Sequence, residues 1–122
     1  MILVIGDVRI REGSLDSAVA LSREHVERSR SEPGCISHDV HHHVDDAHRL
    51  VFVERWVDRA AIEAHFGVPE SVAFARELTS LAVERPTIEV HEATTRPGAE
   101  QPTVSVRRRA DARRPRTMGA RS

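Results

Sequence analysis

The chain has 122 residues, of which 39% are hydrophobic, so it is long enough for one small domain with a modest core. Its single cysteine, Cys35, excludes an internal disulfide and a cysteine-based zinc cluster, which suits a reducing compartment. Residues 1–10 contain neither a basic leader nor an apolar run long enough to cross a membrane. We therefore expect a cytoplasmic protein with no membrane partner.

The formal net charge of −1 conceals two unlike parts of the chain. Residues 1–96 carry a net charge of −6, whereas residues 97–122 carry +5. Because the periodic apolar pattern also stops near residue 95, we predict a folded domain over residues 1–95 and an Arg-rich, disordered tail over residues 96–122. Arginines at 107–116 can neutralise phosphates, but they lack aromatic neighbours that stack on bases, so nucleic acid is not an expected partner.

The first two elements predicted are a strand and a helix. Residues 2–10 carry apolar side chains at both sets of alternating positions, which is typical of a strand buried on both faces. Residues 14–31 predict a helix with Ser14 as its N-cap. We expect His25 at the surface of this helix. Its apolar face combines five residues at helical spacing, namely Leu15, Ala18, Val19, Ser22 and Val26.

A hairpin follows this helix in the predicted order. Pro33 ends the helix and Gly34 permits a tight turn. Polar and apolar side chains then alternate over residues 35–44, as in a half-buried strand. A polar turn over residues 45–48 and a second apolar run over residues 49–57 complete the hairpin.

The sequence of the last part of the domain indicates a helical segment followed by a strand. These two elements complete the order β α β β α β. The helical segment has Asp58 as a cap candidate and a break between Gly67 and Pro69, and residues 87–93 form the strand. With right-handed crossovers this order gives a ferredoxin-like α+β fold, a four-stranded antiparallel sheet with two helices on one face. The other face exposes apolar side chains, so we expect a homodimer with the sheets packed face to face, as in a dimeric α/β barrel.

Five of the eight histidines lie in the segment "CISHDVHHHVDDAH" and raise the question of a metal site. Strand alternation places Asp39, His41 and His43 on one face and His38 on the other. The first three could form a three-ligand site, but they lack a fourth ligand. We prefer the interpretation of polar side chains on a half-solvated hairpin, and we expect no metal. For His38, a buried neutral imidazole and a pocket-lining role both stay open.

Three motifs at matching spacing resemble the antibiotic biosynthesis monooxygenase (ABM) domain family over residues 2–93. They are "EPGCISHDV" at the second strand, "VFVERWVDRAAIEAHF" from the third strand into the next helix, and "VP" shortly after. The family fold is the same ferredoxin-like dimer. The resemblance implies a pocket between sheet and helices in which a small phenol- or quinol-type compound is oxidised by molecular oxygen. Gly6 stands where haem-degrading relatives carry an asparagine, so we do not expect haem degradation.

The same resemblance implies roles for particular residues. His65 is expected to transfer a proton near neutral pH, Trp56 to form a flat wall for an aromatic substrate, and Glu54 to orient a proton carrier. Core packing for Trp56, pairing with an arginine for Glu54 and a helix-end role for His65 stay open as alternatives. Three further residues are expected to contact the substrate: His38, Phe66 and Phe74.

These expectations combine into one function and one rival. We expect a homodimeric, cofactor-independent monooxygenase of small aromatic compounds, with no metal and no organic cofactor. The rival is a non-catalytic dimeric ligand-binding or stress-response protein of the same fold. The expected partners are therefore a second copy of the chain and a small aromatic ligand.

Overall fold

The structure is a computed structural model, and it describes residues 1–98. The strands form one antiparallel sheet in the order β2-β3-β1-β4, which confirms the predicted ferredoxin-like fold. Of the predicted tail, residues 99–122 lie outside the described part of the chain. The elements are β1 (Ile2–Arg9), α1 (Leu15–Ser29), β2 (Cys35–His43), β3 (Asp46–Trp56), α2 (Arg59–Gly67), α3 (Pro69–Ser80) and β4 (Thr87–Glu92).

The core lies between the sheet and the helices. Burial on both faces was expected of β1, but only one face is fully buried: Ile2, Val4 and Val8 lie in the core, whereas Leu3 and Ile5 on the other face are half-buried. Trp56 and Glu54 point to the same side, since they pair across the strands with Ile2 and Val4. Within residues 1–98, no helix is long and apolar enough to cross a membrane.

Two local signals act at helix ends as the sequence predicts. The Asp58 carboxylate accepts a hydrogen bond of 2.9 Å from the backbone N–H of Ala61 and so caps α2. Gly34 has a φ of +84°, and a Cβ there would lie 2.5 Å from the Cβ of Ala61. This turn therefore requires glycine for both its backbone angle and its space. Ser14 occupies the N-cap position of α1, but its side chain makes no capping hydrogen bond.

The predicted hairpin turn over residues 45–48 is wrong, because β3 already begins at Asp46. The turn consists of Val44 and Asp45, and His43 pairs with Asp46 across it. The polar residues 45–48 predict a loop, but on an exposed hairpin the hydrogen bonds between the two strands do not need apolar side chains. The Asp46 carboxylate also accepts a hydrogen bond of 3.0 Å from the backbone N–H of His48, which supports the start of the strand.

The sheet face that points away from the helices carries four half-buried apolar side chains, those of Leu3, Ile5, Val51 and Val53. Beside them Arg49 donates hydrogen bonds of 2.9 to 3.1 Å to the Asp7 carboxylate. Such a face, apolar at the centre and charged at the edge, is typical of an interface. The homodimer stays a prediction. We call these four apolar side chains the sheet patch.

Candidate active site

Glu54 lies at the centre of a buried polar cluster between the sheet and the helices. Its Oε1 accepts a hydrogen bond of 2.9 Å from the Nε1–H of Trp56, two residues further along the same face of β3. The same oxygen lies 3.4 Å from Nε2 of His38, directly opposite on β2, and 3.9 Å from Nε2 of His65 on α2. The structure thus brings together the three residues expected to be catalytic and one expected to bind substrate.

Three buried histidines from three different elements surround this carboxylate. The ring centroid of His25 on α1 lies 5.1 Å from that of His38 and 5.4 Å from that of His65, and the last two centroids are 5.5 Å apart. One ring nitrogen from each residue lies within 4.8 Å of the other two. We call this set the histidine cluster. In residues 1–98 it is the one group of three or more histidine, cysteine, aspartate or glutamate side chains that converges in this way.

The hydrogen-bond partners of these rings differ. Nδ1 of His65 lies 2.8 Å from Oε1 of Glu32, and this carboxylate holds the proton on Nδ1 and leaves the lone pair on Nε2. Nδ1 of His25 accepts a hydrogen bond of 2.9 Å from the guanidinium of Arg28. Both ring nitrogens of His38 are buried without a hydrogen-bond partner. A polar group left in that state costs about 1–3 kcal/mol.

Burial sets the protonation state of this cluster. It lowers the pKa of His25 and of His38 to about 3, and it also lowers the pKa of His65. All three imidazoles are therefore neutral at pH 7. Burial raises the pKa of Glu54 to about 7, against the opposing effect of the hydrogen bond from Trp56. From the sequence His65 is expected to titrate near neutral pH, but its burial lowers its pKa from that ordinary value.

A cavity of about 190 Å³ opens beside the cluster, between the sheet and helices α1 and α3. His25 and Glu54 give the cavity a polar end at the cluster, and Phe52 and Phe74 form aromatic walls. Three further polar residues also line it, namely Asp7, Thr79 and Thr87. The ring of His25 stacks on that of Phe74, with centroids 3.8 Å apart and planes within 2°. An apolar protein cavity of about 150 Å³ accommodates benzene, whereas drug-sized ligands need about 300 Å³ or more. The cavity thus has the size of one aromatic ring with small substituents.

The profile of the antibiotic biosynthesis monooxygenase family matches residues 1–77. The chain belongs to this family. An uncharacterised protein of Synechocystis is 31% identical over 91 residues, a match that covers 75% of this chain and 62% of that protein. The chain therefore spans about three fifths of the length of that relative.

Solved structures share the fold of this ABM domain. A crystal structure described as an antibiotic biosynthesis monooxygenase has 28% identity and a TM-score of 0.73, over 78% of this chain and all of that chain. The protein Rv0793 from Mycobacterium tuberculosis has 24% identity and a TM-score of 0.73, over 79% of this chain and 97% of that chain, and it shows the shared fold. The family resemblance and the fold expected from sequence are thereby confirmed.

The residues expected to form the site of the ABM domain occupy three different positions. Glu54 and Phe74 line the cavity. Trp56, His65 and His38 are buried behind Glu54, where they contact it rather than the cavity. Phe66 is 42% exposed on α2 and does not line the cavity.

The ligand set considered on β2 is not assembled. Asp39 binds the guanidinium of Arg30 at 2.9 Å, and His43 accepts a hydrogen bond of 3.1 Å from the backbone N–H of Asp45. Asp39 and His41 pair with Val53 and Val51, so they belong to the uncovered face of the sheet. Asp39 and His41 are therefore polar neighbours of the sheet patch, whereas His43 lies at the end of the hairpin, opposite Asp46.

Sequence reasoning missed His25, and its expected surface position is wrong. The charged residues around it suggested a solvated helix face, but the buried face of α1 includes Ala18, Ser22, His25 and Ser29. A spacing of three residues from Ser22 places His25 on that face, and this was the available signal. Nothing in the local sequence indicated that Glu32, after the end of α1, would reach His65.

Proposed function

We propose that this ABM protein is a monooxygenase that oxidises a small, single-ring phenol- or quinol-type compound with molecular oxygen and without an organic cofactor. The observation that carries the proposal is the cavity, which has aromatic walls and a polar end made by His25 and Glu54. A phenol has the matching shape, with an apolar ring and one polar edge. Membership of the family supports the reaction class.

The reaction balances without an external reductant. The substrate loses the hydrogen of its hydroxyl group and the hydrogen of one ring carbon, and that carbon forms a double bond to one oxygen atom of O₂. The second oxygen atom leaves with both hydrogens as water. The product is a quinone, and the substrate supplies all four electrons that reduce O₂. An apolar cavity favours this chemistry because it keeps bulk water away from the reduced oxygen intermediate.

The lining of the cavity supports a particular set of substrate contacts in this proposal. The ring of the substrate lies against Phe74 and Phe52, and its hydroxyl group donates a hydrogen bond to the Glu54 carboxylate. Trp56 acts as a positioning residue, since its indole N–H holds Oε1 of Glu54. Phe66 makes no contact with the substrate, because it lies outside the cavity.

Oxygen uptake tests this proposal on the full chain with a panel of single-ring phenols and hydroquinones. The expected result is uptake with a matching yield of quinone, reduced at least tenfold in Glu54→Gln. The control is Phe66→Leu, which changes an exposed ring and leaves uptake unchanged. Absence of uptake across the panel contradicts the proposal. If the same compounds then raise the melting temperature, the non-catalytic ligand-binding protein is the better account.

A further inference from the structure

We propose that the histidine cluster binds one divalent transition-metal ion, with Glu54 as the neighbouring carboxylate ligand. This inference goes beyond the proposed oxidation and does not depend on it. It replaces the expectation of a metal-free protein that the β2 histidines suggested, because the four ligands come from four separate elements rather than from one strand.

The spacing of the three rings fits a four-coordinate ion. Imidazoles bound to one tetrahedral ion through bonds of about 2.0–2.1 Å have ring centroids about 5 Å apart. The observed centroid distances are 5.1, 5.4 and 5.5 Å. The ring nitrogens lie within 4.8 Å of one another, so each has to move inward by less than about 1 Å to bind the same ion. Side-chain rotation alone supplies a movement of that size.

His38 is the independent observation that points to a ligand. Its side chain is fully buried, and neither ring nitrogen has a hydrogen-bond partner. Its Nε2 faces Oε1 of Glu54 at 3.4 Å, beside Nε2 of His65 at 3.9 Å from the same oxygen. An ion between these atoms bonds the otherwise unpartnered nitrogen, and it also offsets the cost of burying the carboxylate.

Neighbouring groups already hold two of the ligands in binding orientation. The Glu32 carboxylate, 2.8 Å from Nδ1 of His65, forms the carboxylate–histidine pair that commonly orients a metal-bound imidazole. The indole of Trp56 fixes Oε1 of Glu54.

His25 is the ligand that must rearrange. In this structure its Nδ1 accepts a hydrogen bond from Arg28, so Nε2 carries the proton. Metal binding through Nε2 moves that proton to Nδ1 and separates the ring from the guanidinium. Arg28 keeps its contacts to Glu32 at 2.7 Å and to Ser71 at 3.2 Å, which retain it nearby. His25 also lines the cavity, which provides the path by which an ion enters.

Three imidazoles with one carboxylate suit zinc, cobalt, iron, nickel or copper rather than magnesium or calcium. Cobalt is the probe of choice, because Co²⁺ absorbs visible light strongly in four-coordinate sites and weakly in six-coordinate ones. The full chain, without an affinity tag that contains histidines, is freed of metal with a chelator and titrated with Co²⁺ alone. Metal content per chain is then measured after gel filtration.

The expected result is one Co²⁺ per chain with an intense visible spectrum. His38→Gln and His65→Gln should each weaken binding at least tenfold. The matched control replaces His41 and His43 with glutamine on the opposite face of the sheet, and it should leave binding unchanged. Less than one tenth of an ion per wild-type chain, or loss of binding in the control alone, would overturn the proposal; the wild-type titration decides even if a variant fails to fold.

Oxygen uptake measured on the same metal-free and Co²⁺-loaded samples separates this inference from the proposed function. Metal binding without uptake in either sample contradicts the oxidation and leaves the metal site intact. Uptake without metal binding contradicts the metal site alone.

Discussion

The indole N–H of Trp56 donates a buried hydrogen bond of 2.9 Å to Oε1 of Glu54, and this bond joins the aromatic core to the polar end of the cavity. Both side chains belong to β3 and lie two residues apart, so they share a face of the sheet. The carboxylate is thereby fixed beside His38 and His65.

Trp56→Phe tests this bond because it keeps an aromatic ring and removes the donor. We expect kcat for the phenol to fall at least tenfold while KM changes little, since the ring of Trp56 does not line the cavity. Loss of the donor also leaves a buried carboxylate oxygen unpaired, which should cost about 1–3 kcal/mol in the free energy of unfolding. Steady-state kinetics and urea unfolding measure the two effects. An equal loss in Phe66→Leu would show that a positioning role is the wrong explanation.

Gly6→Val tests whether the cavity is the substrate site. Gly6 lines the cavity, and a Cβ there would lie 3.5 Å from the Cβ of Phe52, an ordinary contact. The larger side chain therefore fills the cavity without displacing the sheet, and valine suits a strand. We expect at least a tenfold weaker binding of phenols, measured by titration calorimetry, with an unchanged melting temperature. Unchanged phenol binding would place the ligand elsewhere on the protein.

Much of this domain follows from local sequence patterns, and the site does so only in part. The strand β1 was expected to be buried on both faces, but only the face toward the helices is fully buried, because local sequence does not say what covers a face. The Asp58 cap is confirmed because helix capping depends on a few adjacent residues. The same holds for Glu54 and Trp56, which share a face by their spacing alone. The charged neighbours of His25 predict a surface position, although its spacing from Ser22 places it on the buried face of α1. Its contact with Phe74 joins two helices that are far apart in the sequence. The bond between Glu32 and His65, 33 residues apart, is likewise set by tertiary packing.

The stability of the metal-free protein should fall as the pH decreases from about 6.5. The folded-state pKa of His25 and of His38 is lowered to about 3, and that of His65 is lowered as well, so the unfolded chain takes up these protons first. Glu54 acts in the opposite sense between pH 7 and 4.5, because its pKa is raised in the folded state. The protons taken up by the histidines of the unfolded chain outnumber the one held by Glu54 in the folded state, so the free energy of unfolding should fall on balance as the pH decreases.

Urea unfolding at several pH values between 7.5 and 4.5, in the presence of a chelator, measures this dependence. His38→Leu removes one proton from a net difference of at most two and should therefore reduce the slope by half or more. A wild-type stability that stays constant or rises over this interval would contradict the neutral, buried histidine cluster.

Val53→Glu tests the predicted homodimer. Val53 lies at the centre of the sheet patch, opposite Ile5 on β1, and a carboxylate there cannot be buried against a second apolar sheet without a large cost. We expect light scattering to give the mass of a dimer for the wild type and of a monomer for the variant. Val72→Glu, at an exposed position on α3, is the control and should remain dimeric. A wild-type monomer at micromolar concentration would contradict the prediction.

In the proposed reaction the protein inserts one atom of molecular oxygen into a small aromatic compound that supplies the electrons. Reaction under ¹⁸O₂ with a single-ring phenol, followed by mass spectrometry of the quinone, tests it most directly. We predict a product with one ¹⁸O atom, formed in equal amount to the oxygen consumed, and loss of this product in Glu54→Gln. A quinone without ¹⁸O, or no product above the rate without protein, would contradict the account.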